Sequence, residues 1–378
     1  MNLVLIGPYP VDPARVERGV EAVTVNLVEG LKLVDGLNIE IISFRGGEKQ
    51  DQTATINGIR VHFLRPTKRL GTITFGALDK YRTRCKIEEL EVDIIHNQYH
   101  FAYPYLFSKP PAPIITNVHG ITFKEAPFEN ERFDRLRAIP RIYLEKTVLH
   151  RAANIICVSE YVRETIAPLT RAKLYVVENP VSRRYFEAGN REIPNRVLFV
   201  GTIIKRKNVL DLLKAINLLR RDIEVSLHIV GVAEELYYYD ILREYVRENS
   251  LEKHVNFCGP LSEEELLKEY EECCIVVLPS FEESAGMVLQ QAMAAGKPVI
   301  ATRIGGIPCI VMDKVTGWLT ELGNVRELAD KIGALLENKG LRKSMGEAGK
   351  KEALRRFRPE VIASATHDVY RMVLGSRW

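Results

Sequence analysis

The sequence predicts an α/β protein made of two Rossmann-like, doubly wound domains, and three observations predict it. The chain has 378 residues, a length that suits two domains better than one. Short runs rich in Val, Ile and Leu alternate with helical patterns from end to end, the signature of parallel sheets covered by crossover helices. The series also restarts near Arg196, after a stretch at 179–195 that carries Pro180, Gly189 and Pro194 and reads as a linker.

In the first half, strands are expected at 2–6, 40–43, 60–64, 94–96, 113–118, 155–158 and 174–177. Helical periodicity falls between them, for example at 20–33 and 132–152. In the second half, strands are expected at 196–200, 225–230, 255–258, 275–278 and 298–301, with helices at 209–219, 263–271, 287–295 and 326–336. The domains are accordingly set at 1–180 and 181–358, and a last helix at 359–374 is expected to pack back onto the first domain. Ligands of open α/β sheets sit outside the carboxyl ends of the strands, so the loops there are where chemistry is sought.

Composition narrows the function. Hydrophobic residues make up 46% and charged residues 27% of the chain, ordinary for a globular protein. A net charge of +4 is too small to argue for nucleic acid. The 6 cysteines form no C-x-x-C pair and read as small buried hydrophobes of a reducing compartment. The apolar run at 1–8 lacks a charged leader and a cleavage site, and no run approaches the ~18 residues of a membrane span. A cytoplasmic protein is expected. The basic segment 65–86 interleaves Arg65, Lys68, Arg69, Lys80, Arg82, Arg84 and Lys86 with Phe75, Leu78 and Tyr81. It is either a solvated face or a peripheral contact with anionic lipid at the inner face of the membrane.

Four constellations carry chemistry. In 279–308, a buried strand ends at Pro279, a loop holds Glu282 and Glu283, and a helix opens near Gly286. Unpaired amides and the positive end of the dipole at a helix start favour phosphate, and glycine admits a ligand close to the backbone. Glu283 can accept hydrogen bonds from sugar hydroxyls. In 199–208, a strand runs into Gly201 and then Lys205, Arg206 and Lys207, cations able to clamp a diphosphate. Gly19 opens the first helix, and His119 follows a strand and precedes Gly120. Each pattern also occurs as plain structure: a glycine turn, a solvated basic loop, a core histidine.

Together they resemble glycosyltransferase family four, the group 1 retaining enzymes of GT-B architecture, in which two Rossmann-like domains face each other across a cleft. Gly19-Val20-Glu21 resembles the family's first-helix turn, Asp93-Ile94-Ile95-His96 its Asp-x-x-His strand, and Cys157 to Tyr161 its Val-Ser strand end. Glu178-Asn179-Pro180-Val181 resembles the element before its linker. Gly201 to Asn208 resembles its Gly-Thr-x-x-x-Arg-Lys-Asn loop, Glu283 to Gln291 its Glu-x7-Glu spacing, and Thr316 to Leu319 its Thr-Gly-Trp-Leu turn.

The resemblance implies roles. Arg206 and Lys207 bind the donor diphosphate, Glu283 contacts the donor sugar, and amides from Ala285 through Gly286, Met287 and Val288 hold sugar and phosphates. His119 stabilises the transition state, Gly19 lends an amide to the diphosphate, Gly201 belongs to the phosphate loop, and Leu261 of the turn 259–261 supports the nucleobase. Gln291 takes the place of the carboxylate that binds ribose. Three further departures are Cys309 for a Glu, Thr202 for an Arg, and Arg18 for the first of two glycines. Expected partners are a nucleotide sugar such as a UDP- or GDP-hexose and a glycan, lipid-linked or small-molecule acceptor, with no nucleic acid.

No Asp-x-Asp occurs in the chain, so cationic side chains are expected to act in place of a metal, with no cofactor. No carboxylate nucleophile can be chosen from the sequence, which leaves front-face attack, the departing phosphate oxygen taking the acceptor's proton. The competing expectation is a weak or inactive nucleotide-sugar-binding or scaffold subunit, motivated by Gln291 and Cys309. The Arg-Lys-Asn loop and the Glu-x7 spacing argue against an epimerase, and a sugar phosphorylase would need free phosphate and usually a pyridoxal cofactor, for which no convincing lysine site is seen.

Overall fold

The computed structural model describes residues 1–13, 19–44, 50–67, 77–98, 103–106, 108–128 and 132–375, the side chains of 132–137 excepted. The chain divides into two compact units. The first comprises Met1–His119, Pro140–Pro180 and Pro359–Trp378, and the second Gly120–Ile139 and Val181–Arg358.

The first unit contains β1 (Asn2–Ile6), β2 (Asn38–Phe44), β3 (Gln52–Ile56), β4 (Ile59–Leu64), β5 (Ile94–Asn97), β6 (Ile114–Val118), β7 (Asn154–Cys157) and β8 (Lys173–Val176). Their order is β3-β4-β2-β1-β5-β6-β7-β8, parallel except for the β3–β4 hairpin. β1 and β5 lie at its centre and are almost wholly buried, because a parallel strand is covered on both faces, and β5 carries two polar residues, His96 and Asn97, into that interior. No strand is expected from the sequence at β3. It is a mostly exposed edge strand of Gln-Thr-Ala-Thr-Ile, held by register rather than burial. Its signal was the turn Asn57-Gly58, where both residues have positive φ, the geometry of a tight hairpin.

The second unit contains β9 (Arg196–Val200), β10 (Ser226–Val230), β11 (Val255–Gly259), β12 (Ile275–Leu278), β13 (Val299–Thr302) and β14 (Gly317–Thr320). Their order is β11-β10-β9-β12-β13-β14, parallel throughout. β14, read from the sequence as a turn, pairs with β13 as an edge strand. It approaches so closely that a side chain on Gly317 would overlap the Val299 carbonyl. The stretch 179–195 is also more ordered than a bare linker. It holds a short helix, Arg183–Phe186, because Val181 and Tyr185 join the second unit's core, Tyr185 standing edge-on to Tyr270 at 5.3 Å.

Each sheet reverses its strand order once. β1 lies between β2 and β5, and β9 between β10 and β12. Loops on either side of such a reversal diverge and leave a crevice at the carboxyl ends of the two strands.

The last helix, Pro359–Leu374, belongs to the first unit. It buries Ile362, Ala363, Val369 and Tyr370 in the same core as Leu27, Val28 and Leu31 of the helix Gly19–Leu31. The two helices touch backbone to side: a Cβ on Gly30 would overlap the Pro359 carbonyl. Among the described residues no helix is long and apolar enough to cross a membrane.

Candidate active site

In the second unit, the loops leaving β9 and β12 meet at the strand reversal. β9 ends at Val200 and enters Gly201, whose φ of 152° avoids a side-chain penalty. Gly201 N–H donates to Val230 O at 2.9 Å and Ile203 N–H to Val232 O at 2.8 Å, so the loop lies flat against the one after β10. The approach is close enough that a Cβ on Gly231 would overlap the Gly201 carbonyl. A single 3-10 turn, Lys205–Lys207, follows. Asn208 then takes a left-handed conformation and starts the helix Val209–Leu219.

That turn aims its cations at the β12 loop. Lys207 donates from Nζ to the Glu283 carboxylate. Arg206 Nη1 donates to the Glu282 carbonyl at 2.9 Å and lies 3.9 Å from Glu283 Oε2 and 4.0 Å from Glu125 Oε1. In return, Phe281 N–H donates to Arg206 O at 2.8 Å. The Ser280 hydroxyl also donates to Glu283, at 3.4 Å, and Gly306 N–H to the Glu283 carbonyl, at 2.7 Å. Gly305, with φ of 52°, leaves room for that carbonyl, which any Cβ there would strike. Burial alone would push the Glu283 carboxyl up, but Lys207, Arg206 and the Gly286 amide outweigh it and hold the group below the usual carboxylate range.

Gly286, at φ 51°, is the N-cap of the helix Met287–Ala294. Ala285 is buried, and Met287 and Val288 lie half-buried in the first turn, where amides have no acceptor within the helix. Gln291, one turn on, accepts from Tyr270 O–H at 3.1 Å, and the same hydroxyl lies 3.3 Å from Val288 O. Leu261 packs on the second unit's core after Gly259, whose φ is 69°. Cys309 is half-buried, and its carbonyl accepts from Arg356 at 2.8 Å.

In the first unit, the strand reversal falls between β1 and β5. Gly7 follows β1, and a Cβ on it would come within 2.9 Å of Gln98 Cβ, just after β5. Gln98 N–H donates to Ile6 O at 2.8 Å. Beyond β6 stands His119, half-buried, its Nε2 3.0 Å from Gln98 Oε1. Burial, then the neighbouring His96 ring, pushes His119 down to about 4, against the pull of the Asn179 side chain and the Gln98 backbone. His119 is therefore a neutral imidazole at pH 7. Gly19 opens its helix exposed, with nothing within 4 Å of where a Cβ would stand.

The structure thus brings Arg206, Lys207 and Glu283 together, with Ala285, Gly286, Met287 and Val288 directly following. It places Gln291 one helical turn further along, Gly201 at the head of the cationic loop, and Leu261 after β11. Arg18 and part of the basic segment at 65–86 lie outside the described residues. Sequence reasoning missed Gln98, Glu125 and the Gly305–Gly306 support of Glu283. Of these, only the pair of glycines carried a readable signal.

One group of side chains among the described residues, His228, Cys258 and Glu269, has ligand-type atoms within 4.8 Å of one another. Its carboxylate is already committed, 2.8 Å from His228 Nδ1 and 3.8 Å from the Arg196 guanidinium. It reads as an ion pair with charge supplied.

Comparison with known proteins identifies the family and the fold. Residues 18–184 match the family model described as Glycosyltransferase Family 4, and residues 182–352 that described as Glycosyl transferases group 1. An uncharacterized glycosyltransferase of Methanocaldococcus jannaschii is 30% identical over 352 residues, covering 91% of this chain and 92% of that protein. The fold is similar to that of sucrose-phosphate synthase from Thermosynechococcus elongatus, with a TM-score of 0.83, 20% identity and 98% of both chains covered. It is similar also to that of HepE from Anabaena, solved with UDP and glucose, with a TM-score of 0.71, 17% identity and coverage of 97% of this chain and 98% of that one. A charged crevice at the strand reversal of a doubly wound domain, framed by both family models and a relative matched nearly end to end, places this chain in the group 1 glycosyltransferases, family four, as a GT-B transferase enzyme.

Proposed function

We propose that the protein transfers a hexose from a nucleoside diphosphate donor to a glycan, lipid or small-molecule acceptor, with retention at the anomeric carbon and without a metal ion. The observation that carries this is the convergence of Arg206 and Lys207 with Glu283 where the β9 and β12 loops part. Arg206 and Lys207 share the Glu283 carboxylate there, with Glu125 4.0 Å from Arg206, and both cations can turn to a diphosphate beside the first-turn amides of the helix Met287–Ala294. HepE, similar in fold, is solved with UDP and glucose, which supports a uridine nucleotide sugar as the first donor to test.

The residues divide the work. Arg206 and Lys207 neutralise the departing diphosphate as the sugar–phosphate bond breaks. Glu283, kept ionised, accepts from donor-sugar hydroxyls. Amides from Ala285 to Val288 hold sugar and phosphate, Gln291 takes the ribose, Leu261 supports the base, and Gly201 keeps the phosphate loop close. In the first unit, neutral His119 offers a hydrogen-bonding nitrogen to the transferred sugar, and Gly19 an amide to the diphosphate. Retention follows from front-face attack, the leaving phosphate oxygen taking the acceptor's proton.

A panel of nucleotide sugars tests this by calorimetry and by slow donor hydrolysis, with and without EDTA. One donor binding tightly, with release indifferent to EDTA, supports the reading. No binding of any donor, or release abolished by EDTA and restored by Mg²⁺, sinks it. The anomer of the first identified product, read by proton NMR, decides retention.

A further inference from the structure

A hydrogen-bonded chain runs through the first unit from its last helix to His119, and the function above leaves most of its members without a role. Tyr370 O–H lies 2.5 Å from His96 Nδ1. His96 Nε2 lies 2.8 Å from Asn117 Oδ1. The Asn117 amide donates to Gln98 Oε1 at 3.2 Å, and the same oxygen lies 3.0 Å from His119 Nε2. Tyr370, His96, Asn117 and Gln98 are all buried.

Such a chain has a direction, set by its most constrained member. The Tyr370 hydroxyl bonds His96 alone among the described residues, and a buried O–H left without an acceptor is costly. It therefore donates, and His96 Nδ1 accepts. Burial holds His96 down to about 4, so the ring is neutral and carries its one proton on Nε2. That proton goes to Asn117 Oδ1, which turns the Asn117 amide toward Gln98 Oε1. An oxygen facing His119 Nε2 requires a proton on that nitrogen. Gln98 Nε2, 3.0 Å from His96 Nε2, is then a donor beside a donor, and it is the one approach in the chain that makes no bond. His119 Nδ1 is left with its lone pair buried and outside hydrogen-bond geometry to any described residue, the Asn179 side chain standing close enough to the ring to act on its charge.

The geometry points to Gln98 and Tyr370 as positioning residues that fix the tautomer of His119, with the proton on Nε2 and the free lone pair on Nδ1. What His119 does with that nitrogen rests on the proposed function; the tautomer itself does not. Gln98 acts directly, by facing its carbonyl oxygen to the ring. Tyr370 acts at a distance, by giving the chain its direction from the far end of the sequence.

Nitrogen-15 NMR of the histidine rings in the whole protein tests this, with the His119 signal identified by its loss in His119→Asn. The wild type is expected to carry the proton on Nε2. Gln98→Leu, which removes the acceptor, and Tyr370→Phe, which removes the direction-setting donor, are each expected to give a mixture of tautomers. Gln98→Glu, which keeps an acceptor oxygen, is expected to restore the wild-type signal. A wild-type ring protonated on Nδ1, or an unchanged His119 signal in Gln98→Leu or Tyr370→Phe, overturns the proposal. Failure of the functional reading would show instead as absent donor turnover by the wild type, which leaves these signals untouched. With a donor in hand, Tyr370→Phe is expected to lower kcat while donor KM stays unchanged.

Discussion

The two strand reversals have the same topology and opposite chemistry. At the one between β9 and β12, the loops bring a guanidinium, an ammonium and a carboxylate together. Beside the one between β1 and β5, the described residues on and after β5 and β6 set two neutral imidazoles and two amides in one hydrogen-bonded group. Backbone alone therefore decides where a ligand can sit, and side chains decide which one. A diphosphate carries charge and needs mobile counter-charge held by a carboxylate that can let go. A hydroxyl needs an oriented acceptor, which a charged ring would spoil.

Removing the charge should have the largest effect. The double variant Arg206→Ala/Lys207→Ala is expected to weaken donor binding by roughly 10²–10⁴-fold, from the loss of two charge-assisted hydrogen bonds. Calorimetry reads it, and a weakening below threefold would mean that the charged crevice does not hold the diphosphate. Glu283→Gln leaves Lys207 half-buried without its counter-ion and should destabilise the fold by about 3 kcal/mol in urea melts near neutral pH. The sign with pH is fixed. A carboxyl lowered by folding contributes stability above its unfolded pKa of about 4.3 and loses it as pH falls through the folded value. The gap between wild type and variant should therefore close only below about pH 4.

Acid should reach the neutral site first. His96 and His119 are both pushed down to about 4 in the fold. The unfolded chain binds protons there from about pH 6.5 downward, so this stability is complete above about 6.5 and drains away toward 4. Fully buried His96 alone is worth about 3 kcal/mol across that window. Hydrogen exchange should show β5 and β6 loosening between pH 6 and 4.5, while β9 and β12 hold. Simultaneous loosening would erase the contrast. The smallest change expected is in Gln291→Glu, which gives Tyr270, and the ribose that the proposed function places there, an ionised acceptor. Donor binding should tighten by about 1 kcal/mol, severalfold, in the same calorimetry.

These contrasts explain what the sequence could and could not convey. Central strands such as β1 and β9 were legible because burial on both faces forces a continuous apolar run. β3 and β14 were not, being edge strands held by register and by a glycine's lack of a side chain. Arg206, Lys207 and Glu283 stood out only in combination: each pattern is common as plain structure, but their order and spacing along the chain together are specific. Gln98 and Tyr370 had no such mark. Their importance comes from hydrogen bonds between residues as far apart as His96 and Tyr370, which no local pattern encodes.

The seam between the helices Gly19–Leu31 and Pro359–Leu374 bears on how the chain is made. A ribosome delivers residues 1–180 first, but the helix that completes their core comes only after the whole of 181–358. At roughly 5–20 residues per second, that is a wait of about 10–40 seconds with Leu27, Val28 and Leu31 uncovered. The second unit, by contrast, is nearly contiguous and can close as soon as Arg358 has emerged. Synthesis order and assembly order thus run in opposite directions, and the first unit's core stays open until Tyr370 arrives.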